Sequence, residues 1–522
     1  MAAAAAAALL VTAALAACAP ARPSEETPSQ MVEMVVETSE AAREETAVPV
    51  PGPSIPAGDR PGFQEADCQF EVPGGYDVTC GYLLVPENRR RPESRLIALH
   101  VAIFHASTPT PAPDPVIHLV GGPGGSLLDS AAFYLRRGGD AILRERDYIL
   151  FNQRGTRYAV PDLSCTEVFY ANWSLTELNL TEDETNQRTR DILMTCHDAW
   201  VAEGIDLAAY NSAENAADVV DLWQALGYEQ VNLYGISYGS RLALTIMRDH
   251  PEGVRSVILD SVYPPQVDLY STIGFNAQRA FNELFEYCAS DEQCNTSYPE
   301  LERKFYEVVE ALNASPPVVS VPGPDRAYMV VMNGSRFLEA VFAAMYSDEL
   351  IPDLPGVIQA VWEGEYGVMR PYLRSARGSM SLSLGMYHSV QCSEELPFED
   401  YDRMLERLAG LHPLLRDEYA DRFYFDVCEQ WAAGEPDPVE NRPVSSDIPT
   451  LLMAGRFDPI TPPAWAQLAA RTLSHHYYFE FPTIGHGVIR SDGCALSIAL
   501  DFLADPLEEP DASCLLELQA AG

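Results

Sequence analysis

Three residues carry the chemistry that this sequence allows. Ser237 sits at the centre of Gly235-Ile236-Ser237-Tyr238-Gly239, after the apolar run Val231 to Tyr234 and before a helical run from Arg241 to Arg248. A serine on a sharp strand-to-helix turn projects its hydroxyl from the end of a sheet, and small flanking residues let strand and helix approach. The hydroxyl is a weak nucleophile at neutral pH and needs a base, which in turn needs an orienting acid. Both should follow in the order serine, acid, histidine. Asp458 follows the apolar run Leu451 to Ala454 on a proline-rich loop, and His486 stands between two glycines after Tyr477 to Phe481. His486 would take the proton from Ser237, and Asp458 would hold the imidazole tautomer. The competing acid is Asp260, which also ends a strand-like run; His475 and His476 read as surface residues.

Acyl transfer also needs two N–H groups aimed at the developing oxyanion. Tyr238 N–H, next to the nucleophile, is the first candidate. The second should come from Gly121-Gly122-Pro123-Gly124-Gly125; proline has no N–H, which leaves Gly122. This order of residues fits neither a Walker phosphate loop nor a dinucleotide fingerprint. No metal or organic cofactor is called for.

These residues need elements to hold them. Short Val/Ile/Leu-rich runs at Val116 to Val120, Asp147 to Phe151, Val231 to Tyr234, Val257 to Asp260 and Thr450 to Ala454 read as strands buried on both faces of a parallel sheet. Two further strand-like runs, Asp77 to Val85 and Arg95 to Phe104, precede them. Between Ala213 and Leu226 an apolar stripe predicts a helix, with Asn211 and Ser212 as caps and Gly227 as its stop. The alternation predicts an α/β fold. It breaks from 265 to 444, where a mostly helical lid is expected, inserted before the acid-bearing strand. The core is then expected in two parts, 63–264 and 445–522.

The first eighteen residues are uncharged and apolar and end at Cys18. They read as an export signal, 1–18, and Leu15-Ala16-Ala17-Cys18 resembles a bacterial lipobox, whose cysteine becomes lipidated. Lipidation would anchor the chain to a membrane; the alternative is an ordinary signal cut nearby and a secreted product. The stretch 19–62 lacks aromatic residues and is rich in Pro, Glu, Ser, Thr and Ala, so it reads as a disordered tether. An extracytoplasmic location makes disulfides the expected state of Cys68, Cys80, Cys165, Cys196, Cys288, Cys294, Cys392, Cys428, Cys494 and Cys514, with pairing of neighbours in order favoured. No CxxC pair suggests a metal site. The net charge of −42 argues against nucleic acid and anionic membrane surfaces as partners.

Four motifs together resemble the proline iminopeptidase and tripeptidyl aminopeptidase group of α/β-hydrolases: GGPGG at Gly121, NQRGT at Asn152, GISYGS at Gly235, and GRFDPITP through GHG at the end. The likeness spans roughly residues 80 to 500, and the segment from about Val444 resembles a tripeptidyl aminopeptidase-like C-terminal region. It implies the α/β-hydrolase fold and cleavage of short peptides from a free amino terminus, or hydrolysis of related amides and esters. Relatives commonly carry His where Val120 stands and Asp where Asn152 stands; both positions bear on substrate. An aminopeptidase must read an ammonium group, and Glu394 or Glu395 in Cys392-Ser393-Glu394-Glu395 is the candidate, the alternative being a pair of solvated glutamates. An esterase or lactonase would use the same three residues. A non-catalytic, solute-binding lipoprotein is the alternative outside enzymology.

Overall fold

Strands of four to nine residues, buried on both faces, build the centre of the molecule. The computed structural model describes residues 61–431 and 433–521. The expected signal, Cys18 and all but the last two residues of the expected tether lie outside the described residues. In chain order the strands are β1 (Gly62–Glu65), β2 (Val78–Pro86), β3 (Leu96–Phe104), β4 (Val116–Leu119), β5 (Tyr148–Phe151), β6 (Val231–Ile236), β7 (Val254–Asp260), β8 (Val318–Pro322), β9 (Ala327–Val331), β10 (Thr450–Gly455) and β11 (His476–Phe481). Nine of them form one sheet in the order β1-β2-β3-β5-β4-β6-β7-β10-β11. β1, β2 and β3 form an antiparallel flank, and β3 meets β5 antiparallel. From β5 to β11 every neighbouring pair is parallel.

Parallel strands bury both faces under helices, which is why β4, β5, β6 and β10 are buried at every residue. The register aligns their ends. Ile236 pairs with Asp260, and Asp260 pairs with Met453. One row across the sheet therefore marks where the Ser237 turn, the β7 exit and the strand leading to Asp458 leave. α/β sheets place their chemistry just outside such carboxyl ends.

The expected helix appears as Ser212–Ala225, with the Asn211 side chain accepting from Glu214 N–H and Gly227 beyond the end at φ 80°. Between β7 and β10 the chain builds a mostly helical unit that includes Leu269–Ser290, Leu301–Ala314 and Gly334–Ala344. It has its own apolar core, which includes Phe281, Phe305, Phe337 and Ile358. Two features were not anticipated. β8 and β9 form an antiparallel hairpin inside this unit. Trp173, on the earlier helix Thr166–Leu175, packs into the same core, its ring 5.0 Å from that of Tyr328.

The cysteines pair as neighbours in order: Cys68–Cys80, Cys165–Cys196, Cys288–Cys294, Cys392–Cys428 and Cys494–Cys514. Such loops restrict the unfolded chain, each by about 2–4 kcal/mol in the chain-entropy picture. Among the described residues no helix is long and apolar enough to cross a membrane.

The glycines around Ser237 are sterically required. A β-carbon on Gly239 would fall 1.8 Å from the Leu119 carbonyl oxygen, and one on Gly235 would fall 2.3 Å from the Gly239 carbonyl oxygen. Both obstacles are backbone, so neither can step aside cheaply. Gly239→Ala is expected to lower stability by about 3 kcal/mol or more, beyond the usual cost of overpacking. Chemical denaturation of the full chain measures this, and a loss under about 1 kcal/mol would contradict the packing argument.

Candidate active site

Ser237 occupies a backbone conformation that side chains rarely adopt, φ 57° and ψ −127°. Such a residue costs about 1–3 kcal/mol and persists only where its surroundings over-determine it. Here they do. Ser237 N–H donates to the Asp260 carbonyl at 3.0 Å, and the Ser237 carbonyl accepts from Ser240 N–H at 2.8 Å and Ser240 Oγ at 2.6 Å. Ser240 Oγ accepts in turn from Tyr263 N–H at 2.8 Å. The helix Tyr238–Asp249 then runs through the interior, buried from Tyr238 to Met247.

Asp458 and His486 meet as the sequence suggested. His486 Nδ1 lies 2.8 Å from Asp458 Oδ2, and both side chains are buried. Asp458 also accepts from Ile460 N–H at 3.0 Å, Thr461 N–H at 2.9 Å and Thr461 Oγ1 at 2.7 Å. Burial alone would raise the Asp458 carboxyl; the charge and hydrogen bond of His486 and the Thr461 donors outweigh it and hold the group below the usual carboxylate range. With Nδ1 engaged, Nε2 is the nitrogen left for proton transfer. The alternative acid, Asp260, spends its carboxylate on the N–H groups of Val488 at 2.7 Å and Ile489 at 3.0 Å.

The glycine loop lies directly against Ser237: a β-carbon on Gly121 would fall 3.1 Å from its Oγ. The Gly121 carbonyl accepts from Gly125 N–H at 3.1 Å. In a trans peptide the N–H points opposite to the carbonyl, so Gly122 N–H is turned away from that bond. Tyr238 is the first residue of its helix, where N–H groups have no intrahelical partner. NQRGT supports this loop from behind. Asn152 Oδ1 accepts from Leu127 N–H at 3.1 Å and Leu128 N–H at 3.2 Å, and Gln153 Nε2 donates to the Val120 carbonyl at 3.1 Å. Asn152 Nδ2 donates to Ser126 Oγ at 2.9 Å and to the Arg157 carbonyl. An aspartate could not make those last two bonds as a donor, which is a physical reason for Asn at this position.

Glu394 and Glu395 are buried rather than solvated, at 3% exposure each. Glu394 accepts from Ser212 N–H at 2.5 Å and Ser212 Oγ at 2.6 Å, and Ser212 Oγ lies 2.9 Å from the Tyr238 hydroxyl. Arg241, fully buried one turn after Ser237, faces both carboxylates. It meets Glu395 at 2.5 Å, off the axis of a hydrogen bond, and Glu394 at 3.5 Å. Burial raises Glu394 to about 7 and Glu395 to about 8, with Arg241 opposing the rise.

The inserted unit touches the site on both sides. The Tyr346 ring lies 4.8 Å from the His486 imidazole, and Ser383 N–H donates to the Gly124 carbonyl at 2.8 Å. Arg279, on the helix Leu269–Ser290, donates to the carbonyls of Arg456 at 2.6 Å and Asp458 at 2.5 Å. The supports Arg279, Arg241 and Ser261 carried no readable signal in the sequence. Asn152, Gln153, Ser240 and Thr461 did, because each stands in one of the quoted motifs, which assign it no role.

With this geometry in place, the chain can be set against known proteins. The description of the α/β hydrolase fold family matches residues 114–489, and the chain belongs to that family. It is a hydrolase by that membership. Serine protease Hip1 of Mycobacterium tuberculosis is 24% identical over 434 residues, covering 76% of this chain and 78% of that protein. Tripeptidyl aminopeptidase of Streptomyces lividans is 23% identical over 455 residues, covering 82% of each. Among solved structures, a thermophilic esterase from Thermogutta terrifontis aligns with 82% of this chain and 99% of its own, at 14% identity and a TM-score of 0.37.

Asn152→Asp tests the support of the glycine loop. Its second oxygen would face the Arg157 carbonyl, so the carboxyl would hold a proton more tightly when folded than unfolded. Stability contributed by that protonated form is lost as pH rises through the folded value. The variant is expected to lose about 1–3 kcal/mol, more at pH 8 than at pH 5, in denaturation curves.

Proposed function

We propose that the protein is an exported serine peptidase that releases residues or short peptides from free amino termini through an acyl-enzyme on Ser237. The observation that carries this reading is the 2.8 Å contact between Asp458 and His486 on loops that leave the sheet beside Ser237. In the proposed reaction Ser237 Oγ attacks the scissile carbonyl carbon while His486 Nε2 takes its proton. The oxyanion is held by the N–H groups of Tyr238 and Gly122. Collapse breaks the C–N bond, and His486 returns the proton to the leaving amine. Water, deprotonated by His486, then releases the acyl group. Proton transfer requires Ser237 Oγ and His486 Nε2 to come within about 2.6–3.2 Å, which such sites commonly reach only with substrate bound.

Three things support peptides as substrate. Relatives named as a serine protease and a tripeptidyl aminopeptidase align over most of the chain. The residues 265–444 are proposed to act as a lid, which the contacts of Tyr346 with His486 and of Ser383 with Gly124 support. Beneath the lid, Glu394 and Glu395 share one guanidinium. When both carboxyls are ionised, one negative charge is left over, and a substrate ammonium supplies its partner. Five disulfides support export, and Cys18 is proposed as the lipid attachment point.

Ser237→Ala should abolish labelling by a fluorophosphonate probe, and Asp458→Asn should slow turnover by about 10⁴-fold. A wild-type protein that resists the probe would point to a solute-binding role instead. Fluorogenic aminoacyl, dipeptidyl and tripeptidyl amides, compared with N-blocked amides and simple esters, read the specificity; equal rates with and without a free amine would favour an esterase.

The ammonium reading has its own pH signature. Glu395 is neutral below about 8 in the free protein, and only its ionised form attracts an ammonium. KM for free-amine substrates should therefore fall as pH rises from 6 towards 8. Glu395→Gln should raise that KM about tenfold and flatten the profile, while ester turnover stays unchanged. If Glu394→Gln and Glu395→Gln both leave KM where it was, neither glutamate reads the amine.

A further inference from the structure

We infer that Asp260 and Ser261 are positioning residues that set the His486 imidazole relative to Ser237, an inference that rests on the Ser237 reading above. Nucleophile and base come from distant parts of the chain, so something must fix one against the other. Asp260 and Ser261, at the exit of β7, touch both. The Asp260 carbonyl accepts from Ser237 N–H at 3.0 Å. Its carboxylate, fully buried, accepts from Val488 N–H at 2.7 Å and Ile489 N–H at 3.0 Å, and from the Tyr234 hydroxyl at 3.1 Å. Ser261 Oγ accepts from Gly487 N–H at 2.8 Å. Three consecutive N–H groups immediately after His486 are thus held by two adjacent side chains whose own backbone holds the nucleophile.

The backbone at Ser261 points the same way. Its φ is 54°, in the left-handed region that a non-glycine residue enters at a cost, and its N–H donates to the Met453 carbonyl at 2.9 Å. That bond ties the pair to β10, the strand that leads to Asp458. The two residues therefore lie between all three members of the proposed triad.

Asp260 also acts by its charge. Burial raises its carboxyl; the Val488 and Ile489 N–H groups, Arg490 and His486 oppose that rise. Charged and titratable groups facing the imidazole are Asp458 at Nδ1, the Tyr346 ring, Asp260, and Arg490, which donates to the His486 carbonyl at 3.0 Å. Tyr234 faces Asp260 from behind, and Arg279 holds the Asp458 carbonyl. Asp260 therefore adds to Asp458 in favouring the imidazolium. Removing its charge takes one of the two carboxylates away from the imidazole, and the acid limb of a labelling profile responds to that loss.

The test is the rate of fluorophosphonate labelling of the full chain from pH 5 to 9, which needs no knowledge of the natural substrate. Asp260→Asn is expected to label about 10–100-fold more slowly at pH 7, the loss typical of a misplaced base, with the acid limb of its profile moved to lower pH. Ser261→Ala is expected to label about 3–10-fold more slowly with the acid limb in place, because no charge is lost. Thermal unfolding reports whether each variant folds, and if Asp260→Asn does not, Ser261→Ala decides alone. A wild-type rate for Ser261→Ala overturns the inference. So does Asp260→Asn with an unmoved acid limb, because a purely structural loss leaves the limb where it was. Labelling of wild type but not of Ser237→Ala upholds the triad reading in either case, whereas failure of wild type to label sinks both.

Discussion

A non-glycine residue held at φ 57° can exist only where several bonds agree on it, and the site is arranged around that requirement at Ser237. The turn is gripped from β7 through the Asp260 carbonyl and from its own helix through Ser240. The helix must then leave the strand so tightly that glycine is needed at 235 and 239. The same approach presses the glycine loop after β4 against Ser237. Strain, close packing and the placement of backbone donors are consequences of one turn.

Charge around Ser237 and His486 is handled by partners that the fold brings to it. Asp458 has three donors and an imidazole, and its carboxyl is held low. Asp260 rests on backbone N–H groups. Arg241 is shared between two carboxylates pushed up by burial. In a medium of low polarity an unpartnered charge costs several kcal/mol, so each of these groups also fixes the segment that supplies its partner. The inserted unit is tied to the core by such contacts, through Glu394 on Ser212 and Arg279 on the acid loop.

Much of this was legible before any coordinates. The parallel strands are short runs buried on both faces, and their apolar content is a local property. The helix Ser212–Ala225 had its stripe, cap and stop in the sequence. Ser237, Asp458 and His486 could be named because each follows a strand. The β8–β9 hairpin is masked in the sequence although Val319, Val321, Tyr328 and Val330 alternate inward, because the surrounding segment reads as helical. Glu394 and Glu395 looked equally at home in water; burial depends on what the rest of the chain lays over them.

Local pattern, then, determined the class of fold, pointed to the candidate residues Ser237, Asp458 and His486 and favoured neighbouring cysteine pairs, since strand runs, turn glycines and loop-closing cysteines act over short distances. Tertiary structure alone decided what Asp260 holds in place of the imidazole, what holds the glycine loop, and where Arg241 stands between two carboxylates. Those outcomes depend on register across the sheet, which brings Ile236, Asp260 and Met453 into one row although they are far apart in the chain.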